Sequence, residues 1–325
     1  MIGYYVHHQG HGHLHRALSL AHALDEPVVG LSSLPSPGEP FADWVPLPPD
    51  PALDDADGPD AGGALHWAPT NSPGYADRMS TVADWVRRER PRLVVVDLSV
   101  EVATLVRLLG TPVAVVTLPG ERTDDAHRLA YRLATTIVAP WPRAILDPPH
   151  LCDYGAKVVH TGAISRFDGR PGRPAPAAGR VLVLLGSGGA DGLTVPADGA
   201  GWTWTALGGG GTWSGDVWSA LQDSDVVVTH AGLNALAEVA AAGRPAVVVP
   251  QSRPFAEQRT TGGALKAAGL ATVLDAWPAP DEWDGVLTSA CARGESWQRW
   301  NDGQGAGRFA HALAERALQP VGDGR

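Results

Sequence analysis

The chain alternates short apolar runs with longer stretches in which apolar positions recur every three or four residues. Short apolar runs bounded by turn formers read as strands buried on both faces, the pattern of parallel sheets. In the first half they fall at residues 2–7, 27–31, 92–97, 112–117, 136–139 and 157–160. Helical periodicity falls near 13–24, 77–90, 100–109 and 124–134. Leu14, Ala17, Leu18, Ala21 and Leu24 make one stripe along the first of these helices. Residues 166–179, rich in Pro, Gly and Arg, interrupt the alternation. It restarts with an apolar run at 180–185, continues through runs at 225–229 and 246–249 separated by a helix, and closes with a helix near 304–318. The pattern predicts an α/β protein with parallel sheets, and the length of 325 residues predicts two domains. We place an N-terminal domain at 1–164, a linker at 165–179, a C-terminal domain at 180–303, and a closing helix and tail at 304–325. Residues 32–76, acidic and proline-rich, read as an irregular surface excursion bordering an acceptor cleft.

Composition narrows the partners. A net charge of −10 argues against nucleic acid and against broad attachment to an anionic membrane. Two cysteines, Cys152 and Cys291, provide no disulfide framework and suit a reducing cytoplasm. Met1 leads directly into an apolar run with no basic region before it, so neither a signal peptide nor a transmembrane helix is expected.

The most informative segment is 229–258, THAGLNALAEVAAAGRPAVVVPQSRPFAEQ. A strand ends at His230, Gly232 makes the turn, and the helix that follows carries Asn234 and Glu238. Such a turn presents unpaired backbone N–H groups and the positive end of a helix dipole, which suits a diphosphate. Helical side chains lean toward the N-terminus, so the Glu238 carboxylate reaches back to the same mouth. There it can accept two vicinal hydroxyls, as of a ribose. The opposing reading is a common strand–turn–helix connection with a solvated glutamate.

A second glycine turn, Gly10-His11-Gly12-His13, follows the first strand. It completes neither a G-x-G-x-x-G dinucleotide fingerprint nor a P-loop. Histidines at 7, 8, 11, 13 and 15 could bind metal adventitiously, but no nearby carboxylate or cysteine completes a familiar site. Asp97 ends the strand at 92–97 on the same sheet edge, where it either orients a histidine or caps the next helix. Ser187, Gly188 and Gly189 follow the strand at 180–185 and are candidates for approach to phosphate. Asp223-Ser224-Asp225 imitates a D-x-D metal motif, but its place before a strand favours a structural role.

These residues resemble a known group. His230, Gly232, Asn234 and Glu238 have the H-x-G-x-N-x-x-x-E spacing of nucleotide-sugar-dependent glycosyltransferases with the GT-B fold, two Rossmann-like domains facing across a cleft. Gly10, Gly12, His13 and Arg16 resemble the first turn of bacterial GT-B families related to the lipid II-forming N-acetylglucosamine transferase and to the UDP-glycosyltransferases. Glu257-Gln258 resembles the pair that holds donor-sugar hydroxyls, although the familiar form has two or three fewer residues after Pro250-Gln251. The resemblance implies an inverting hexosyltransferase using a UDP- or dTDP-sugar, with His13 as general base and Asp97 orienting it. His11 as the base, and no catalytic histidine at all, are the alternatives. It implies a donor site of Gly12, Ser187, Gly188, Gly189, His230, Gly232, Asn234, Glu238, Glu257 and Gln258, with Trp213 stacking on the base. It implies no cofactor and no obligatory metal, a small-molecule or lipid-linked acceptor, and a final helix that crosses back to the first domain. A nucleotide-sugar hydrolase, a nucleotide-sugar epimerase and a non-catalytic nucleotide-sugar binding protein are the competing readings.

Overall fold

A computed structural model describes residues 1–49, 58–186, 195–209, 216–293 and 297–317. Seven parallel strands build the first sheet: β1 (Ile2–Tyr5), β2 (Val28–Ser32), β3 (Asp43–Pro46), β4 (Leu93–Asp97), β5 (Val113–Val116), β6 (Thr136–Ala139) and β7 (Val158–His160). Their spatial order is β3-β2-β1-β4-β5-β6-β7. Five parallel strands build the second: β8 (Arg180–Leu184), β9 (Thr203–Leu207), β10 (Val226–Thr229), β11 (Ala246–Val248) and β12 (Thr272–Val273), in the order β12-β11-β10-β8-β9. Every residue of β1, β2, β4, β5 and β6 is buried, which is why these strands read as unbroken apolar runs. Helices α1 (His11–Ala23), α2 (Pro73–Glu89), α3 (Val100–Leu108), α4 (Asp125–Leu133) and α5 (Pro149–Cys152) accompany the first sheet. Helices α6 (Val217–Gln222), α7 (Leu233–Ala242), α8 (Glu257–Ala268) and α9 (Trp283–Ala292) accompany the second, and α10 (Gly305–Ala317) closes the chain.

Strand order locates the cleft. In open α/β sheets ligands bind beyond the carboxyl ends of the strands where the order reverses direction. The reversal lies between β1 and β4 in the first sheet, and between β8 and β10 in the second. His13 follows β1, Asp97 ends β4, and His230 follows β10.

Three strands were not legible as apolar runs, among them the two-residue β12. Within 32–76, Asp43–Pro46 adds β3 to the sheet edge, in register with β2 from Val29↔Asp43 to Ser32↔Pro46. Its Trp44 ring lies over Gly30, where a Cβ would overlap it, so packing on a bare backbone replaces the missing apolar pattern. Strand β9, TWTAL, is an edge strand whose exposure alternates, and Thr and Gly around it hide the period. Helix α10 lies against α1, and its buried Phe309 and Leu313 join the cluster of Ile2, Leu20 and Val95. Arg308 Nε donates to Thr161 O at 2.6 Å. The start of the 165–179 stretch is pinned: Asp168 accepts from Ser165 N at 2.9 Å and from Asn301 Nδ2 at 2.7 Å. Among the described residues no helix is long and apolar enough to cross a membrane.

Candidate active site

The first half of the site is built by the β1–α1 turn and the end of β4. Gly10 precedes α1 with φ 89°, a conformation a side chain would strain, and no side chain caps the helix. His13 enters in the first turn, and its Nδ1 lies 3.0 Å from Asp97 Oδ1. Asp97 is fully buried, and Ser99 supplies the cap of α3 by accepting from Val102 N at 3.2 Å. The aspartate is thus spared for the cleft. Arg16, one turn on from His13, donates to both Asp97 oxygens at 3.0 Å, and Tyr4 Oη reaches Oδ2 at 3.3 Å. Burial alone would raise the Asp97 carboxyl, but the Arg16 and His13 charges outweigh it and hold Asp97 well below the usual carboxylate range. Asp97 is therefore a carboxylate. Arg16 Nη2 lies 3.1 Å from the same His13 Nδ1; in the tautomer whose Nδ1–H goes to Asp97, Nε2 is left to accept a proton. Of the neighbouring imidazoles, burial pushes His7 down to about 3, and burial with Arg166 pushes His15 down to about 4. His11 is exposed, with its ring 6.5 Å from that of His15.

The second half is the β10–α7 turn. His230 is buried and its Nδ1 donates to Val249 O at 2.8 Å. The neutral ring then offers only a lone pair at Nε2, so His230 can donate to an anion only as imidazolium. Gly232 precedes α7, and no side chain caps that helix, leaving its first N–H groups for a ligand. Asn234 lies in the first turn of α7 against Gly12 of α1; a Cβ on Gly12 would overlap the Asn234 amide. The uncapped N-termini of α1 and α7 therefore meet across the cleft. Gln258 is buried and its Oε1 accepts from Ala231 N at 3.2 Å and Gln251 N at 2.9 Å, bracketing the turn. Ser187, Gly188, Gly189 and Trp213 lie outside the described residues.

Three arrangements were invisible to pattern reading because they join residues far apart in sequence. Glu238 is buried, and Arg166 Nε, from the stretch read as linker, donates to its Oε1 at 2.7 Å. His15 Nδ1 lies 3.9 Å from the same oxygen. Burial raises the Glu238 carboxyl and Arg166 pulls it back. Glu257 receives Arg122 Nη2 at 3.2 Å from the first domain. Behind Arg122 stand His127, Asp124 and His66: His127 Nε2 accepts from Arg122 at 2.9 Å, His127 Nδ1 meets Asp124 Oδ2 at 2.5 Å, and His66 Nε2 meets Asp124 Oδ1 at 3.0 Å.

His66, Asp124 and His127 offer three ligand atoms within 4.8 Å of one another, enough in principle to hold a metal ion. The surroundings oppose this. Metal at His127 Nδ1 would move the ring proton to Nε2, against the Arg122 N–H that now points there, and would place a cation beside a guanidinium. Burial, with the Arg122 charge behind it, pushes His127 down to about 4 against the pull of Asp124, so the ring is a neutral acceptor for Arg122. The D-x-D imitation is structural: Asp225 accepts from Ala177 N, Ala178 N and Arg180 N at 2.6–2.9 Å.

Residues 212–281, which contain the whole β10–α7 turn and Glu257-Gln258, match the glycosyltransferase family 28 C-terminal domain. The structure resembles the glycotransferase of kitacinnamycin, at 18% identity and a TM-score of 0.66, covering 98% of this chain and 99% of that one. It also resembles the spinosyn forosaminyltransferase SpnP, at 13% identity and a TM-score of 0.68, with 98% and 99% covered. A third likeness is MurG of Acinetobacter baumannii, at 15% identity and a TM-score of 0.61, with 97% and 99% covered. No curated protein matches the chain in sequence. The fold is that of GT-B proteins, and the segment that carries the second half of the site matches a glycosyltransferase domain. The resemblance read from the glycine turns thus holds for the fold, and for the second turn also in the matched segment.

Proposed function

We propose that the protein transfers a sugar, with inversion, from a nucleoside diphosphate sugar to an acceptor hydroxyl. UDP and dTDP are the expected nucleotides. The observation that carries the reading is the pair of half-buried His13 and buried Asp97 at 3.0 Å, set opposite the uncapped N-terminus of α7. The diphosphate sits between the two helix N-termini, where N–H groups and dipoles favour anions. Glu238 takes the ribose hydroxyls, and Glu257 with Gln258 takes those of the sugar.

His13 Nε2 then removes the acceptor proton as the acceptor oxygen attacks the anomeric carbon and the bond to the diphosphate oxygen breaks. Asp97 stabilises the resulting imidazolium without itself taking the proton, and fixes the ring. The helix termini and a protonated His230 stabilise the departing charge, so the mechanism requires no metal.

A panel of UDP-, dTDP- and GDP-sugars, incubated with chelator-treated protein and candidate acceptors, tests the reading by product analysis. We expect a glycoside and a nucleoside diphosphate. Free sugar without any acceptor would make the protein a hydrolase, tight binding without products a binding protein, and rescue only by magnesium or manganese a metal-dependent enzyme.

A further inference from the structure

The chain Arg122–His127–Asp124–His66 has no part in the transfer step, yet it crosses between domains to reach the carboxylate assigned to the donor sugar. Arg122 is 5% exposed, and each of its three guanidinium nitrogens has a partner. Nε donates to Leu118 O at 3.0 Å, Nη1 to His127 at 2.9 Å, and Nη2 to Glu257 at 3.2 Å. His127 is fixed in turn by Asp124, which also holds His66.

The loop carrying Glu257 is held just as firmly. Phe255 and Ala256 have φ of 58° and 53°, left-handed values that cost a non-glycine residue energy and persist only where surroundings impose them. Here Glu121 N donates to Phe255 O at 2.7 Å, and Gly120, with φ 106°, lets the two backbones touch; a Cβ there would overlap Phe255 O. The Phe255 ring lies 4.8 Å from the His127 ring, edge-on, and under the Arg122 guanidinium at 5.0 Å. The five residues between Gln251 and Glu257, longer than the familiar form of the motif, include those that reach the first domain.

We infer that Arg122 is a positioning residue for donor-sugar recognition: through its hydrogen bond to Glu257 it fixes that carboxylate in the orientation that reads sugar hydroxyls. The inference rests on the proposed role of Glu257. It makes half of the sugar subsite a property of the first domain, so the subsite is complete only while the domains are docked. A carboxylate on the first residue of a helix would otherwise be free to rotate, and discrimination among sugars by hydrogen bonds depends on the partner being held.

Calorimetry with UDP-glucose and UDP, and with dTDP-glucose and dTDP, tests this on the full chain. Arg122→Met should weaken sugar-nucleotide binding about tenfold or more while the bare nucleotide stays within about twofold, because only the sugar meets Glu257. Arg122→Lys should recover only part, since an ammonium keeps the charge but cannot fork to His127 and Glu257. With turnover as readout, KM for the donor should rise while kcat stays within a few-fold. Glu257→Gln should reproduce the selective loss, and the double variant should be no worse than either single one. If Glu257→Gln weakens sugar-nucleotide binding selectively and Arg122→Met does not, the inference is wrong and the Glu257 reading survives. If Glu257→Gln changes nothing, the reading beneath it fails. Equal weakening of nucleotide and sugar nucleotide by Arg122→Met would make Arg122 architectural and overturn the inference. Should Arg122→Met fail to fold, Phe255→Leu removes the ring beneath Arg122 and must give the same selective loss.

Discussion

Asp97 carries two duties that pull in opposite directions. It lies 3.0 Å from His13 Nδ1, and it is the counter-ion of Arg16, which is itself only 3% exposed. Removing its charge therefore does more than disturb the base. In Asp97→Asn the Arg16 guanidinium stays buried without a counter-ion, which costs about 3–5 kcal/mol of stability, and the imidazolium loses its stabilising charge, which costs about 10²–10⁴ in kcat. The two effects separate in Asp97→Asn/Arg16→Gln. Thermal melting should recover much of the lost stability in the double variant, while kcat stays low. Recovery of kcat together with stability would show that Asp97 only supports Arg16. This coupling was half legible: G-x-G-H-x-x-R placed His13 and Arg16 on one helix face, and the apolar run placed Asp97 at a strand end. That Arg16 is buried contradicts its place off the apolar stripe, and only the spatial neighbour explains it.

At the scale of elements, the site is a meeting of two helix N-termini. Each follows a strand at the point where its sheet reverses order, and each is left without a side-chain cap. Gly12 and Asn234 set how closely they meet. Gly12→Ala should push α1 away from α7, and a displacement near 1 Å at a reacting centre costs about 10²-fold. Gly307→Ala in α10, where a Cβ would meet nothing within 4 Å, is the matching control and should leave activity unchanged. Comparable kcat/KM for Gly12→Ala and the wild type would show that the closeness is incidental. Buried strands and helix stripes were legible because their period is local. Strands β3, β9 and β12 were not: they sit at sheet edges, where burial does not enforce an apolar run.

The whole molecule is two Rossmann-like sheets held in contact by groups from distant parts of the chain. Arg166 reaches Glu238 and Arg122 reaches Glu257, while α10 returns to pack on α1. The two glycine turns announced the class because each concentrates its chemistry within about ten residues. The arginines that engage Glu238 and Glu257 gave no such signal. Arg166 lay in a Pro/Gly-rich stretch, and Arg122 followed a strand with no motif around it; their significance exists only once the domains are docked.

The central claim is that His13 acts on the bond-making step and not on donor binding. The direct measurement is kcat and nucleoside diphosphate affinity of His13→Ala, taken side by side with the wild type and with His11→Ala, following glycoside formed and free sugar released. The account predicts that His13→Ala loses about 10²–10⁴ in kcat while nucleotide affinity stays within a few-fold, and that His11→Ala remains near wild type. Full turnover by His13→Ala, with glycoside still formed, would contradict it and move the base elsewhere in the cleft.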